Sequence, residues 1–96
     1  MQEVILVAQI QAKPNRHLEL KQELTLLVKQ TQTETGCQQF ELYQAERDPH
    51  LFVLWECFTT QSAFELHMQQ PYTKTYFELV KPNLTESTEG IRLNKV

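Results

Sequence analysis

Residues Val4 to Gln11 (VILVAQIQ) begin as an unbroken aliphatic run, and polar residues enter on alternate positions only from Gln9. This predicts a strand covered over most of both faces. Pro14 and Asn15 break the run, and Asn15 is placed to cap a helix through its side-chain oxygen. From Arg16 to Glu34 the apolar period lengthens to that of a helix. Leu20, Leu24, Leu27, Val28 and Thr31 form one stripe, while Lys21, Gln22, Lys29 and Gln30 point away. Gly36 then stands where a glycine commonly ends a helix.

Between Cys37 and Glu46 (CQQFELYQAE) the period returns to two, with Phe40 and Leu42 on one face and Glu41, Tyr43 and Ala45 on the other. Arg47-Asp48-Pro49-His50 carries turn chemistry, and Leu51 to Phe58 (LFVLWECF) follows as a second strand, so the pair forms a hairpin. Leu51, Val53, Trp55 and Cys57 line one face of that strand; Phe52, Leu54, Glu56 and Phe58 line the other. Both faces are mainly apolar and both need cover, yet one layer of helices covers only one of them. Thr59, Thr60 and Ser62 supply capping groups for a short helix through about Gln69, which Pro71 breaks. A further helical piece, Tyr72 to Val80, puts Tyr72, Tyr76 and Val80 on one side; Pro82 and Asn83 close it, and a short last strand spans Ile91 to Val96. The order β-α-β-β-α-(α)-β suits an α+β fold, a ferredoxin-like antiparallel sheet with helices on one face. The bare apolar face calls for a partner, and a homodimer of two such sheets packed face to face supplies it.

The chain has 96 residues, which suits one domain spanning 1–96. A domain of this size buries somewhat more than about 60% of its unfolded surface, so its core is modest and association adds stability. The net charge is −3 and the nine Lys and Arg are scattered. With no basic stripe, nucleic acid is not an expected partner. The longest apolar run, Val4 to Ala8, is too short to span a bilayer, and Glu3 precedes it instead of a positive segment, so it reads as a strand and not a signal peptide. Cys37 and Cys57 form no paired metal-ligand spacing. A cytoplasmic chain with two inert, partly buried thiols is the expectation.

With Gly36 and Gly90 its only glycines, the chain has no phosphate-binding loop, and it carries no GxSxG, HExxH or EF-hand pattern. Neither cofactor nor metal is therefore expected. The candidate chemistry rests on polar groups set among apolar ones. Glu56 shares a face with Phe52, Leu54 and Phe58, where burial raises a carboxyl pKa and makes an acid or base; the alternative is a carboxylate that only orients a neighbour. His67 follows Ala63 by four and Phe64 by three, which turns it to the apolar side of its helix. There it serves either as a general base or as a plain core histidine. Tyr72, Tyr76 and Trp55, with Phe52, are candidate substrate contacts, or simply core aromatics. His17 and His50 read as surface residues, at a helix start and a turn.

Glu34-Thr35-Gly36-Cys37, followed by Phe40, Leu42 and Tyr43, resembles the E-x-G-C segment of the antibiotic-biosynthesis monooxygenase family. Phe52, Trp55-Glu56, Phe58, Ala63 and His67 resemble its F..(Y/W)E.(W/F)....A...H segment, and Pro71-Tyr72 its continuation. The resemblance covers nearly the whole chain. It implies a dimeric α+β barrel with a pocket between sheet and helices in each subunit, and a cofactor-independent oxidation of a quinol or polyketide-like phenol by O₂. His67 would be the base or proton shuttle, Glu56 its orienter, and Tyr72 and Tyr76 the substrate contacts. Relatives that degrade haem use an Asn on the first strand, and Val4 to Gln11 holds none; sugar isomerases of the family carry His after the proline, where Tyr72 stands. Two other readings remain open: isomerisation of a small carbonyl metabolite by the same Glu/His pair, and a non-catalytic dimer that binds an apolar metabolite.

Overall fold

In the computed structural model, which describes residues 2–96, the aliphatic run becomes β1, Val4–Ala12. It lies at the centre of a sheet of order β2-β3-β1-β4, with β2 at Cys37–Gln44, β3 at Leu51–Phe58 and β4 at Thr85–Leu93. Every neighbouring pair is antiparallel. The two central strands are the two sequences with apolar residues on both faces, as burial on both sides requires.

Helix α1, His17–Thr31, turns Leu20, Leu24, Leu27 and Thr31 onto the sheet, where they meet Val4, Ala8 and Ile10 of β1 and Phe52, Leu54 and Phe58 of β3. Phe40, Phe52, Phe58, Leu20 and Leu24 are completely buried. Truncating a buried phenylalanine of this kind costs about 3–5 kcal/mol, so these few rings dominate the core. Helix α2, Gln61–Gln69, is capped by Thr60, whose hydroxyl accepts from the Ala63 N–H at 3.1 Å. Helix α3, Pro71–Thr75, follows directly and widens into a π turn over Tyr76–Val80 before a last turn, α4, Lys81–Leu84. Lys81 N–H accordingly reaches back five residues to the Tyr76 carbonyl. In a regular helix the Pro82 ring would collide with the Glu78 carbonyl, and the wider turn relieves that contact.

The opposite face of the sheet carries no helix. Leu93, Ile5 and Cys57 form one cross-strand row on it, and Ile91, Val7 and Trp55 the next. Ile91 and Leu93 are about 40% exposed (41% and 39%). No helix among the described residues is long and apolar enough to cross a membrane.

Several local expectations are corrected. Asn15 does not cap α1; it sits in the left-handed region at φ 64°, which asparagine tolerates, and α1 starts without a side-chain cap after Arg16. Gly36 does not end the helix, which stops at Thr31; it lies against α2, where a methyl group would collide with Ala63 Cβ. Pro82 does not close the third helical piece but opens its final turn. The last strand starts at Thr85 instead of Ile91 and ends at Leu93, because an exposed edge strand needs only backbone pairing with β1 and no apolar alternation. His17 and His50 are half-buried, with ring centroids 4.4 Å apart, so the turn before β3 packs on the start of α1.

Candidate functional site

Strand alternation places Glu56 on the helix-covered face, between Phe40 of β2 and Leu6 of β1. Only 7% of it is exposed. Burial pushes its carboxyl pKa up to about 7. Tyr76, at the start of the π turn, is also buried, and its hydroxyl lacks any hydrogen-bond partner among the described residues. Burial first, and the Glu56 charge second, hold that phenol well above the usual tyrosine range. The hydroxyls of Thr31 and Thr73, which are buried between the helices and the sheet, are likewise unpartnered.

His67 is 3% exposed. Its ring is walled by Phe58, Phe40 and Phe64, with centroids 4.9, 5.4 and 6.4 Å away. Its direct partner is Glu34, whose Oε2 lies 3.0 Å from Nδ1. Glu56 was the expected partner. Phe40 neighbours both, standing opposite Glu56 on the sheet while its ring packs against the imidazole. Tyr72 also donates its hydroxyl to Glu34 Oε2. Burial, then the hydrogen bond and charge of Glu34, keep the Tyr72 phenol protonated far above its ordinary range.

Glu34 is held by a tight turn after α1: its N–H donates to the Thr31 carbonyl at 3.0 Å, and its own carbonyl accepts from Cys37 N–H at 3.1 Å. The chain then enters β2 through a bulge. Cys37 pairs with Phe58 and Gln39 with Cys57, leaving Gln38 as the extra residue. Cys37 thus packs against the core on the helix side. Burial pushes its thiol up to about 11, with Glu34 and Glu56 adding to the effect, so it is a neutral, unreactive group at neutral pH. Both cysteines are free.

Glu34, Cys37, Glu56, His67, Tyr72 and Tyr76 therefore gather between the sheet and helices α2 and α3. Two clefts reach the group from outside. One, of about 370 Å³, is lined by Glu34, Gly36, Ala63 and Tyr72; the other, of about 220 Å³, by Leu27, Tyr72, Tyr76 and Val80. Trp55 is not part of the group. It projects from the other face of β3, where its indole N–H donates to Gln39 Oε1 at 2.7 Å. Phe52 does not join it either: it is fully buried core at the far end of β3, paired with Ile10 and Gln44. In the sequence Glu34 stands out only as part of a motif. Its two partners, 33 and 38 residues away, lie on elements whose approach no local period reveals. Among the described residues no three His, Cys, Asp or Glu side chains are grouped to hold a metal ion.

Comparison with known proteins agrees with this architecture. The protein PA3566 from Pseudomonas aeruginosa superposes with a TM-score of 0.94 at 27% identity, over 100% of this chain and 96% of that one. SO0527 from Shewanella oneidensis gives 0.93 at 28% identity, over 98% and 91%. A structure described as an antibiotic biosynthesis monooxygenase shares the fold at 19% identity, with a TM-score of 0.89 over 97% and 98%. In sequence, the protein sll1783 of Synechocystis is 23% identical over 97% of this chain, which spans 63% of that protein's length. The model of one family covers residues 3–79, a span that holds all six residues of the cluster. By that match and by its fold, the chain belongs to the antibiotic biosynthesis monooxygenase family.

Proposed function

We propose that this protein is a cofactor-independent monooxygenase of a quinol or similar electron-rich phenol, with the substrate as its own reductant. The observation that carries this reading is the Tyr76 hydroxyl, buried without a hydrogen-bond partner among the described residues and within reach of the Glu56 charge, with Glu56 and His67 both buried as well. Buried polar groups normally find hydrogen-bond partners, and in an enzyme pocket the partner is the ligand. A quinol offers hydroxyls to meet them and a ring to lie against phenylalanine.

In this reading His67 takes a phenolic proton. The quinolate passes one electron to O₂, and the resulting semiquinone and superoxide combine at a ring carbon as a hydroperoxide. Loss of the ring proton and cleavage of the O–O bond release water and leave a new carbonyl, which tautomerises to a hydroxyquinone. One quinol and one O₂ thus give one hydroxyquinone and one water. The apolar walls strengthen each electrostatic contact along the way, and Tyr76 is placed to steady the oxyanion. Purified protein should consume O₂ with a member of a quinol panel, one O₂ per hydroxyquinone formed. No uptake above autoxidation, or hydrogen peroxide formed in step with the O₂ consumed, would refute the reading.

The protein is also proposed to act as a homodimer through the bare sheet face, with the rows Leu93-Ile5-Cys57 and Ile91-Val7-Trp55 as the buried seam. Sedimentation at micromolar concentration should give a mass near twice 11.3 kDa. A clean monomer would contradict it.

A further inference from the structure

We propose that Glu34 is the positioning residue of this site: one carboxylate oxygen accepts both from His67 Nδ1 and from the Tyr72 hydroxyl, which fixes the imidazole as the Nδ1-protonated tautomer and leaves Nε2 as the basic nitrogen. The inference rests on the reading of His67 as the base, and it extends that reading to a residue on a different segment.

The geometry makes the argument. A carboxylate only accepts hydrogen bonds, so a nitrogen 3.0 Å from Glu34 Oε2 must bring the proton. With Nδ1 so engaged, the neutral ring has its lone pair on Nε2. The Tyr72 hydroxyl donates to the same oxygen from the other side, which limits rotation of the carboxylate. The turn that carries Glu34 is tied at its N–H and carbonyl to Thr31 and Cys37, so the backbone behind the carboxylate is fixed as well. The Glu34 side chain is only 11% exposed, and the His67 side chain 4%. Glu34 also lines the outer cleft beside Gly36 and Tyr72, whereas His67 is enclosed by phenylalanines. A buried acid that holds a catalytic imidazole in one tautomer is the arrangement of hydrolase triads, here without a nucleophile.

The test starts on the native protein with no substrate. Imidazole ¹⁵N spectra at a pH where His67 is neutral should show the Nδ1–H form alone. An Nε2–H form in the native protein would overturn the proposal even if no variant folded. Glu34→Gln keeps the shape but offers an NH₂ group as well as a carbonyl, so the two tautomers should become mixed. With the best quinol of the panel, kcat should fall about 10- to 100-fold, the usual scale for losing an outer-shell orienting partner, while KM changes little and the acidic limb of the pH profile, where the base becomes protonated, moves. Tyr72→Phe, which leaves Glu34 in contact with His67, should keep the Nδ1–H form. Unchanged tautomer and pH profile in Glu34→Gln would defeat the assignment. Failure of every quinol to support O₂ uptake while the tautomer result holds would defeat the reaction instead, and leave Glu34 as the group that orients His67.

Discussion

His67→Ala is expected to lower turnover of a quinol that the native protein oxidises by about 10² or more, the scale for loss of a positioned base. The imidazole is the basic group enclosed by Phe40, Phe58 and Phe64, and its Nδ1 is committed to Glu34. Removal leaves the Glu34 carboxylate paired with Tyr72 alone and opens space among the rings. Some stability is therefore lost with the activity, and the two losses must be separated. Circular dichroism melting gives the first, and O₂ uptake per folded protein at a temperature well below the midpoint gives the second. A lower midpoint with normal turnover per folded protein would make His67 a structural residue and leave Glu56 as the group to test.

The second large effect is on stability. The Glu56 pKa is raised from 4.5 to about 7 by burial, so the fold prefers the protonated acid. Between those two pH values the unfolded chain has lost the proton and the folded chain has kept it. The contribution of this group to stability is thus greatest near and below pH 4.5, falls as pH rises to about 7, and is level above that. A shift of this size corresponds to about 3 kcal/mol. Glu56→Gln has no proton to lose, and the difference between native and variant should grow in the variant's favour from pH 5 to pH 8. Urea unfolding at unit steps of pH measures it. Parallel curves across that range would mean that the carboxyl is solvated or paired in the fold. The same burial that costs stability at neutral pH leaves Glu56 able to give or take a proton there.

The fold was legible because its main signals are local. Short apolar runs in Val4 to Gln11 and Leu51 to Phe58, a helical stripe from Leu20 to Thr31, and Thr60 before a short helix each state their own element. Alternation told which residues share a face with Glu56 but not which face the helices cover, since both are apolar, whereas helical spacing turned His67 to the apolar side of its helix. Alternation carried evidence against Trp55 too, since neighbours on a strand face opposite ways; grouping it with the site aromatics ignored that. Polar edge residues such as Thr85 to Gly90 carry no strand signal of their own, because backbone pairing alone decides there. The pairing of His67 was beyond local pattern. Whether Glu34 or Glu56 meets the imidazole depends on how the turn after α1 docks against α2 and α3, and that is set by contacts such as Gly36 on Ala63.

The extra residue at Gln38 changes which positions count as neighbours. In an uninterrupted strand, residues three apart always face opposite ways, yet Cys37 and Phe40 both turn toward the helices. Gln38 and Gln39 both face the other side, where they reach Cys57 Sγ and the Trp55 indole. The bulge thus acts as a parity switch between a segment that belongs to the site, Glu34 to Cys37, and a strand that belongs to the core. Point substitutions of Gln38 leave that switch in place. Deleting the residue would not: the strand would keep its pattern from Phe40 onward, while Cys37 turned outward and the turn bearing Glu34 was carried with it. At this position the protein is more sensitive to a count of residues than to their identity.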